Sequence, residues 1–126
     1  MYVMEKLGDR WVTLADWGGH VDSVSDPTVA LYQVYNRIMK IIDTLEGKGY
    51  VHGDLRCTNI LVNMDTLQVK VVDFDWAGEA GGTYYPIDRN DEIECWPQGS
   101  VKGYPIALGD DRKLVNNWWE AFIAKA

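Results

Sequence analysis

Three stretches of the sequence predict an α+β domain that is mainly helical. A long helical stripe runs from Pro27 to Glu46, two short β-type runs flank a turn within residues 60–72, and an apolar helical pattern covers Asp110 to Ala126. Helices supply most of the apolar periodicity, and one hairpin is the only clear β signal.

The composition suits a single domain. The chain has 126 residues, 47% of them hydrophobic and 12% aromatic, which is enough apolar material to form a core and argues against disorder. Its formal charge of −7 argues against nucleic acid or an anionic membrane as the main partner, since both require a basic face. No apolar run approaches the roughly 20 residues of a membrane-spanning helix, and Met1 to Lys6 lack the pattern of a signal peptide. Cys57 and Cys95 alone make neither a disulfide framework nor a zinc site. A reducing cytoplasmic compartment is the expectation.

Tyr2 to Glu5 are long enough for the end of a strand and no more. Asp9 to Trp17 carry Trp11, Leu14 and Ala15 at helical spacing, which predicts a one- or two-turn helix ended by Gly18 and Gly19. Asp26 followed by Pro27 is a helix start, because Asp can cap and Pro suits the first helical position. From there Leu31, Tyr35, Ile38, Ile42 and Leu45 form the stripe, widened by Val34 and Ile41, and Gly47 and Gly49 stop it. Such a stripe is core.

The stretch from His52 to Asp75 carries the chemistry. It runs His-Gly-Asp-Leu-Arg-Cys-Thr-Asn, then Ile60 to Val62, turn residues Asn63 to Thr66, a β run from Leu67 to Val72, and Asp73-Phe74-Asp75. Asp54 can accept a proton from an attacking hydroxyl, and Arg56 can offset charge on a phosphate. Asn59 and Asp73 offer the oxygen ligands that Mg²⁺ prefers. Paired as a hairpin, the two β runs bring their ends together, so that Asp54, Asn59 and Asp73 can meet as one bound ion requires. The competing structural reading is that Asp and Asn simply favour loops. Trp76 to Gly109 are punctuated by Gly and Pro with little periodicity, which predicts a long irregular segment. The last helix carries Leu114, Val115, Trp118, Trp119, Phe122 and Ile123, with Asp110 as a capping candidate.

These residues together resemble the C-terminal lobe of the protein-kinase-like superfamily. His-Gly-Asp-Leu-Arg-Cys-Thr-Asn is similar to the kinase catalytic loop His-Arg-Asp-Leu-Lys-x-x-Asn, and Asp73-Phe74-Asp75 stands where kinases carry Asp-Phe-Gly. The motif from Asp73 to Gly78, with the later Tyr-Pro, Asn and Trp-Pro, further resembles kinase-like proteins common in fungi. The resemblance implies one partial domain over residues 1–126: a hinge-like segment at 1–7, a C-lobe at 8–126 and no N-lobe, the chain being truncated at both ends. It implies a long helix, a catalytic loop, a short β-hairpin and a final central helix.

It also implies ATP and Mg²⁺ as cofactors. Asp54 would be the catalytic base and Arg56 the phosphate-side cation. Asn59 and Asp73 would be the metal ligands, and the backbone of Glu5, Lys6 and Leu7 would hold adenine. His52 would pack beneath the loop, Phe74 would set the pose of Asp73, and Asp110 or Asp111 would brace the loop backbone. The implied reaction is transfer of the ATP γ-phosphoryl group to a Ser, Thr or Tyr hydroxyl of a protein.

The departures leave alternatives open. Gly53 replaces an arginine that pairs with phosphorylated activation loops in many kinases, and Asp75 replaces a glycine. Both changes are familiar in small-molecule phosphotransferases, of aminoglycoside- or choline-kinase type. The sequence also has no Gly-rich phosphate loop and no strand lysine with its helix glutamate, which makes stand-alone catalysis doubtful and a non-catalytic binding module the third reading. The expected partner is a protein or small-molecule hydroxyl substrate. Cys57 and His20 read as a small packed residue and a loop residue, and the Asp88 to Glu94 run as a solvated face. Tyr84 and Tyr85 read as packing under the loop, and Trp118 and Trp119 as an exposed pair that would mark self-association through the last helix.

Overall fold

A computed structural model describes residues 10–93 and 95–125. It contains, in order, β1 (Trp11–Thr13), α1 (Leu14–Gly18), α2 (Pro27–Gly47), β2 (Tyr50–Val51), β3 (Ile60–Asn63), β4 (Val69–Val71), β5 (Gly78–Glu79) and α3 (Asp110–Lys125). Single 3₁₀ turns at Val21–Ser23 and Cys57–Asn59 complete the set. The α+β, mainly helical expectation holds. Glu5, Lys6 and Leu7, and the strand end expected at Tyr2 to Glu5, lie outside the described residues.

The first element differs from expectation. Trp11 to Thr13 form a strand, and the helix begins only at Leu14. Trp, Val and Thr favour a pleated surface, and β3 offers an edge, so tertiary pairing of Trp11 with Asn63 and Thr13 with Leu61 overrides the helical spacing. Thr13 then serves as the N-cap, its Oγ1 accepting the Asp16 N–H.

Helix α2 begins as predicted, with the Asp26 carboxylate accepting the Val29 N–H and Pro27 in the first turn. Its buried face is Ala30, Val34, Ile38 and Ile42. The centre of the stripe therefore lies one residue N-terminal to the Leu31–Tyr35 line, and those two side chains are only half-buried. Each fully buried aliphatic on this face contributes roughly 1.5–3 kcal/mol. They pack with Leu14, Trp17, Val21, Leu55, Ile60, Val62, Leu114 and Val115 into the main core.

The hairpin forms with β3 and β4 antiparallel, Ile60 opposite Val71 and Val62 opposite Val69. The Asn63 side chain closes the turn by accepting the N–H groups of Asp65 and Thr66. Leu67 sits at φ 59° and belongs to the turn, so β4 is shorter than the Leu67 to Val72 run. The sheet order is β1-β3-β4, which leaves β4 on an edge.

Residues 76–109 are less irregular than expected. β5 pairs with β2, an isolated bridge joins Tyr84 to Pro105, and Val51, Tyr85 and Ile106 form a second small core. Tyr85 packs as expected, but Tyr84 is exposed. Helix α3 closes the molecule. Trp118 and Trp119 are half-buried, against the expected exposure, because Trp119 meets Tyr35 and Phe122 while the Trp118 Nε1–H reaches the Leu55 carbonyl.

Candidate active site

The loop between β2 and β3 is held from below and from behind. His52 is fully buried. Its Nδ1 accepts the Asp54 N–H at 3.1 Å, which assigns the proton to Nε2, and Nε2 donates to the Val72 carbonyl at 2.9 Å. The expectation of a structural histidine beneath the loop is met. The Phe74 ring meets the imidazole edge-on at 4.9 Å while remaining more than half exposed.

Asp111, on α3, clamps the loop backbone. Its two carboxylate oxygens accept the N–H groups of His52 at 2.7 Å and Gly53 at 2.9 Å. Burial pushes the Asp111 carboxyl above its usual value, partly offset by the two backbone N–H groups that favour the charged form. Asp110 is the first residue of the helix and turns away from the expected capping role. Its carboxylate accepts the Ala107 N–H and the Tyr85 hydroxyl. Burial, then the neighbouring Asp110 charge, push the Tyr85 phenol far above its usual value, so it stays a donor.

The clamp explains Gly53. Its φ is +90°, and an added Cβ would stand 2.7 Å from Ile106 Cδ1. No larger residue fits the space between the loop and the 76–109 segment without displacement. What favours glycine here is chiefly the left-handed backbone, since the Cβ contact falls on the far end of the Ile106 side chain.

Asp54 and Arg56 face each other. Arg56 Nε is 2.6 Å and Nη2 3.2 Å from the two oxygens of the Asp54 carboxylate, a bidentate pair at the edge of the core. The hydrogen bond and the charge of Asp54 raise the Arg56 pKa, with burial opposing. The opposite face of this pair meets Trp96, whose ring centroid is 5.7 Å from the guanidinium carbon. Trp96 is itself fixed by stacking on Trp76 at 5.8 Å, by Nε1–H donation to the Asn90 carbonyl, and by its own carbonyl accepting from Asn117. Arg89, almost fully buried, lies 4.7 Å from the Trp96 centroid and 4.6 Å from that of Tyr85. Neither Trp96 nor Arg89 was legible as a site residue. Trp96 entered the sequence reading only through its Trp-Pro pair, one of five large aromatics in residues 76–109, and Arg89 carried no signal of its own.

Asn59 links the rest. Its Nδ2 donates to the Asp54 carbonyl at 2.8 Å, and its own carbonyl accepts the Val72 N–H at 2.9 Å. One residue further, Asp73 is exposed, with φ 62° in the left-handed region that Asp tolerates. Hydrogen bonds thus join Asn59 to Asp54 and to Val72, the residue before Asp73. With its nitrogen directed at Asp54, the Asn59 amide presents Oδ1 on the opposite side. One amide oxygen and one carboxylate are hard donors that suit Mg²⁺, which takes few protein ligands and fills its shell with water and phosphate oxygens. Among the described residues no three His, Cys, Asp or Glu side chains converge into a self-sufficient metal cluster. Cys57 is half-buried against the core, and His20 is an exposed loop residue.

A comparison with protein-family models bears directly on this arrangement. Residues 22–96 match the model for protein tyrosine and serine/threonine kinase, from the turn before α2 through Trp96. The chain belongs to the protein tyrosine and serine/threonine kinase family. No curated protein matches it. The match covers the loop, the hairpin, Asp73 and most of the segment that carries Trp96, so the kinase-family region includes both sides of the Arg56–Asp54 pair. No described helix is long and apolar enough to cross a membrane.

Proposed function

We infer that this kinase-family chain is a C-lobe whose site serves transfer of the ATP γ-phosphoryl group to a protein Ser, Thr or Tyr hydroxyl. The observation that carries the reading is the pair of hydrogen bonds at Asn59, whose side chain donates to the Asp54 carbonyl and whose own carbonyl accepts the Val72 N–H. Those two bonds join Asp54 and Asn59 to the residue before Asp73, which supports a reading with Asp54 as base and Asn59 and Asp73 as ligands, since phosphoryl transfer is chiefly positioning plus electrostatic stabilisation.

Each residue then has a role. The Asp54 carboxylate accepts the proton of the incoming hydroxyl as its oxygen bonds to phosphorus and the bond to the ADP oxygen breaks. Arg56, held within reach of both Asp54 oxygens, orients that carboxylate and supplies positive charge beside the transferred group. Asn59 Oδ1 and the Asp73 carboxylate would hold Mg²⁺, which when bound neutralises phosphate charge. The Glu5 to Leu7 backbone would receive adenine. The fungal likeness of the motif after Asp73 supports a kinase-like lineage of this kind.

The test is thermal unfolding of the protein with and without Mg-ATP, beside Asp73→Ala and Asn59→Ala. A rise in Tm with Mg-ATP that both substitutions abolish supports the reading. No rise, or an equal rise in the variants, removes it. A phosphorylation assay offering a protein acceptor mixture and an aminoglycoside or choline then assigns the acceptor.

A further inference from the structure

We propose that the groove between α2 and β4 docks an extended acidic peptide segment of a partner protein. The groove, about 510 Å³, lies on the surface between the exposed side of α2 and the strand that ends the three-stranded sheet. Its floor is apolar, formed by the half-buried Ile41 and Val69, and its rims carry Arg37, Lys40 and Lys70, all exposed. No acidic residue lines it.

The charge is out of keeping with the rest of the molecule. The chain carries a net −7, yet three cations converge here without an ion-pair partner among the described residues. The acids nearest in sequence are committed elsewhere. Asp43 and Glu46 both bind Arg112 across to α3, and Asp65 holds Arg10 in a bidentate pair. Two of the three cations are also restrained. Arg37 Nη1 donates to the Thr66 carbonyl at 2.8 Å, and Lys70 Nζ stands 5.4 Å from the centre of the Trp11 ring. A fixed cation loses less side-chain entropy on meeting an anion than a free one does.

The shape favours a short extended segment. Arg37 to Thr44 span two helical turns, about 10 Å. An extended chain at roughly 3.3 Å per residue covers that length with few residues and sends alternate side chains to opposite sides. An apolar side chain then meets Ile41 and Val69, and flanking carboxylates reach the three cations. β4, paired only to β3, adds an edge of backbone groups against which such a segment can lie. Nucleic acid fits less well. Phosphate-driven binding draws on about 6–10 cation contacts, and the overall negative charge repels a long polyanion, whereas a short peptide lies within about one Debye length of the rim cations at physiological salt. The groove is formed by α2 and the hairpin, independently of Asp54 and its partners, so docking stands or falls apart from the phosphoryl-transfer reading.

The experiment is fluorescence anisotropy of a labelled peptide, Glu-Asp-Leu-Glu-Val-Asp-Glu, titrated with the whole protein. Saturable binding is expected, weakening by about ten-fold or more in the K40E/K70E double variant and falling with added NaCl. Circular dichroism and thermal unfolding confirm that the variant folds, and K40Q/K70Q serves as the milder pair if it does not. The same peptide with Lys for every acid should not bind. Absence of saturable binding to the folded protein, equal affinity in the folded variants, or tighter binding of a short oligothymidylate would each overturn the proposal.

Discussion

The guanidinium of Arg56 is held between the Asp54 carboxylate, 2.6 Å from its Nε, and the ring of Trp96, whose centroid is 5.7 Å from its central carbon. The distant 76–109 segment therefore fixes a pair that the loop between β2 and β3 alone leaves free to swing. Trp96→Leu should free Arg56 and cost about 2–3 kcal/mol of stability, less than the full loss of a buried Trp because this ring is only half-buried. Trp96→Phe should keep about half of that. Urea unfolding gives the stability, and the ring-current shift of the Arg56 Nε–H proton reports the contact.

Asp111 is a second point of control from outside the loop. Asp111→Ala removes both acceptors from the buried N–H groups of His52 and Gly53, and should destabilise the protein by about 1–3 kcal/mol. The pH dependence has a definite sign. Burial raises this carboxyl in the folded state, so its contribution is fullest below the ordinary carboxylate range and is lost as pH rises through the raised folded value. Unfolding free energy measured across pH 3 to 7 should show that falling component in the native protein and lack it in Asp111→Ala.

Gly53 should resist every substitution. With φ at +90° and Ile106 Cδ1 in the path of a Cβ, Gly53→Ala should cost about 1–3 kcal/mol or more from backbone strain and contact together. Ile106→Val in the same protein should recover the contact part only. A double-mutant cycle by chemical unfolding separates the two.

Tyr85 tests the role of the second small core. Tyr85→Phe deletes the buried hydroxyl's bond to Asp110 but leaves the Ala107 N–H on the same carboxylate oxygen. A loss of about 1 kcal/mol is expected in urea unfolding, at the low end of the cost of Asp111→Ala.

Much of this was legible because it is local. The caps of α2, the Asn63 turn and the spacing of Asp54, Asn59 and Asp73 are written within a few residues of where they act. The strand at Trp11 was not, because its three residues pair with β3 about fifty positions away and a three-residue run has no period to settle it. Trp96 and Arg89 were hidden for the same reason. Their partners come from the loop, the segment itself and α3, and a cation against an aromatic face leaves no fixed spacing in a chain. Asp111 could be singled out only through resemblance, since nothing around it foretells two backbone donors from His52 and Gly53.

The distances along the chain over which the site is stitched carry a kinetic meaning. The bonds joining His52, Asp54, Asn59 and Val72 close short loops, 20 residues at most, whereas Asp111 reaches His52 across 59 positions. Closing a loop costs more as it lengthens, and contacts of large sequence separation slow folding. The hairpin and its loop can assemble as a nucleus while α3 is still searching, and the bolt from Asp111 slides home last. Unfolding by the reverse order should release α3 first and leave the loop shaped but unlocked.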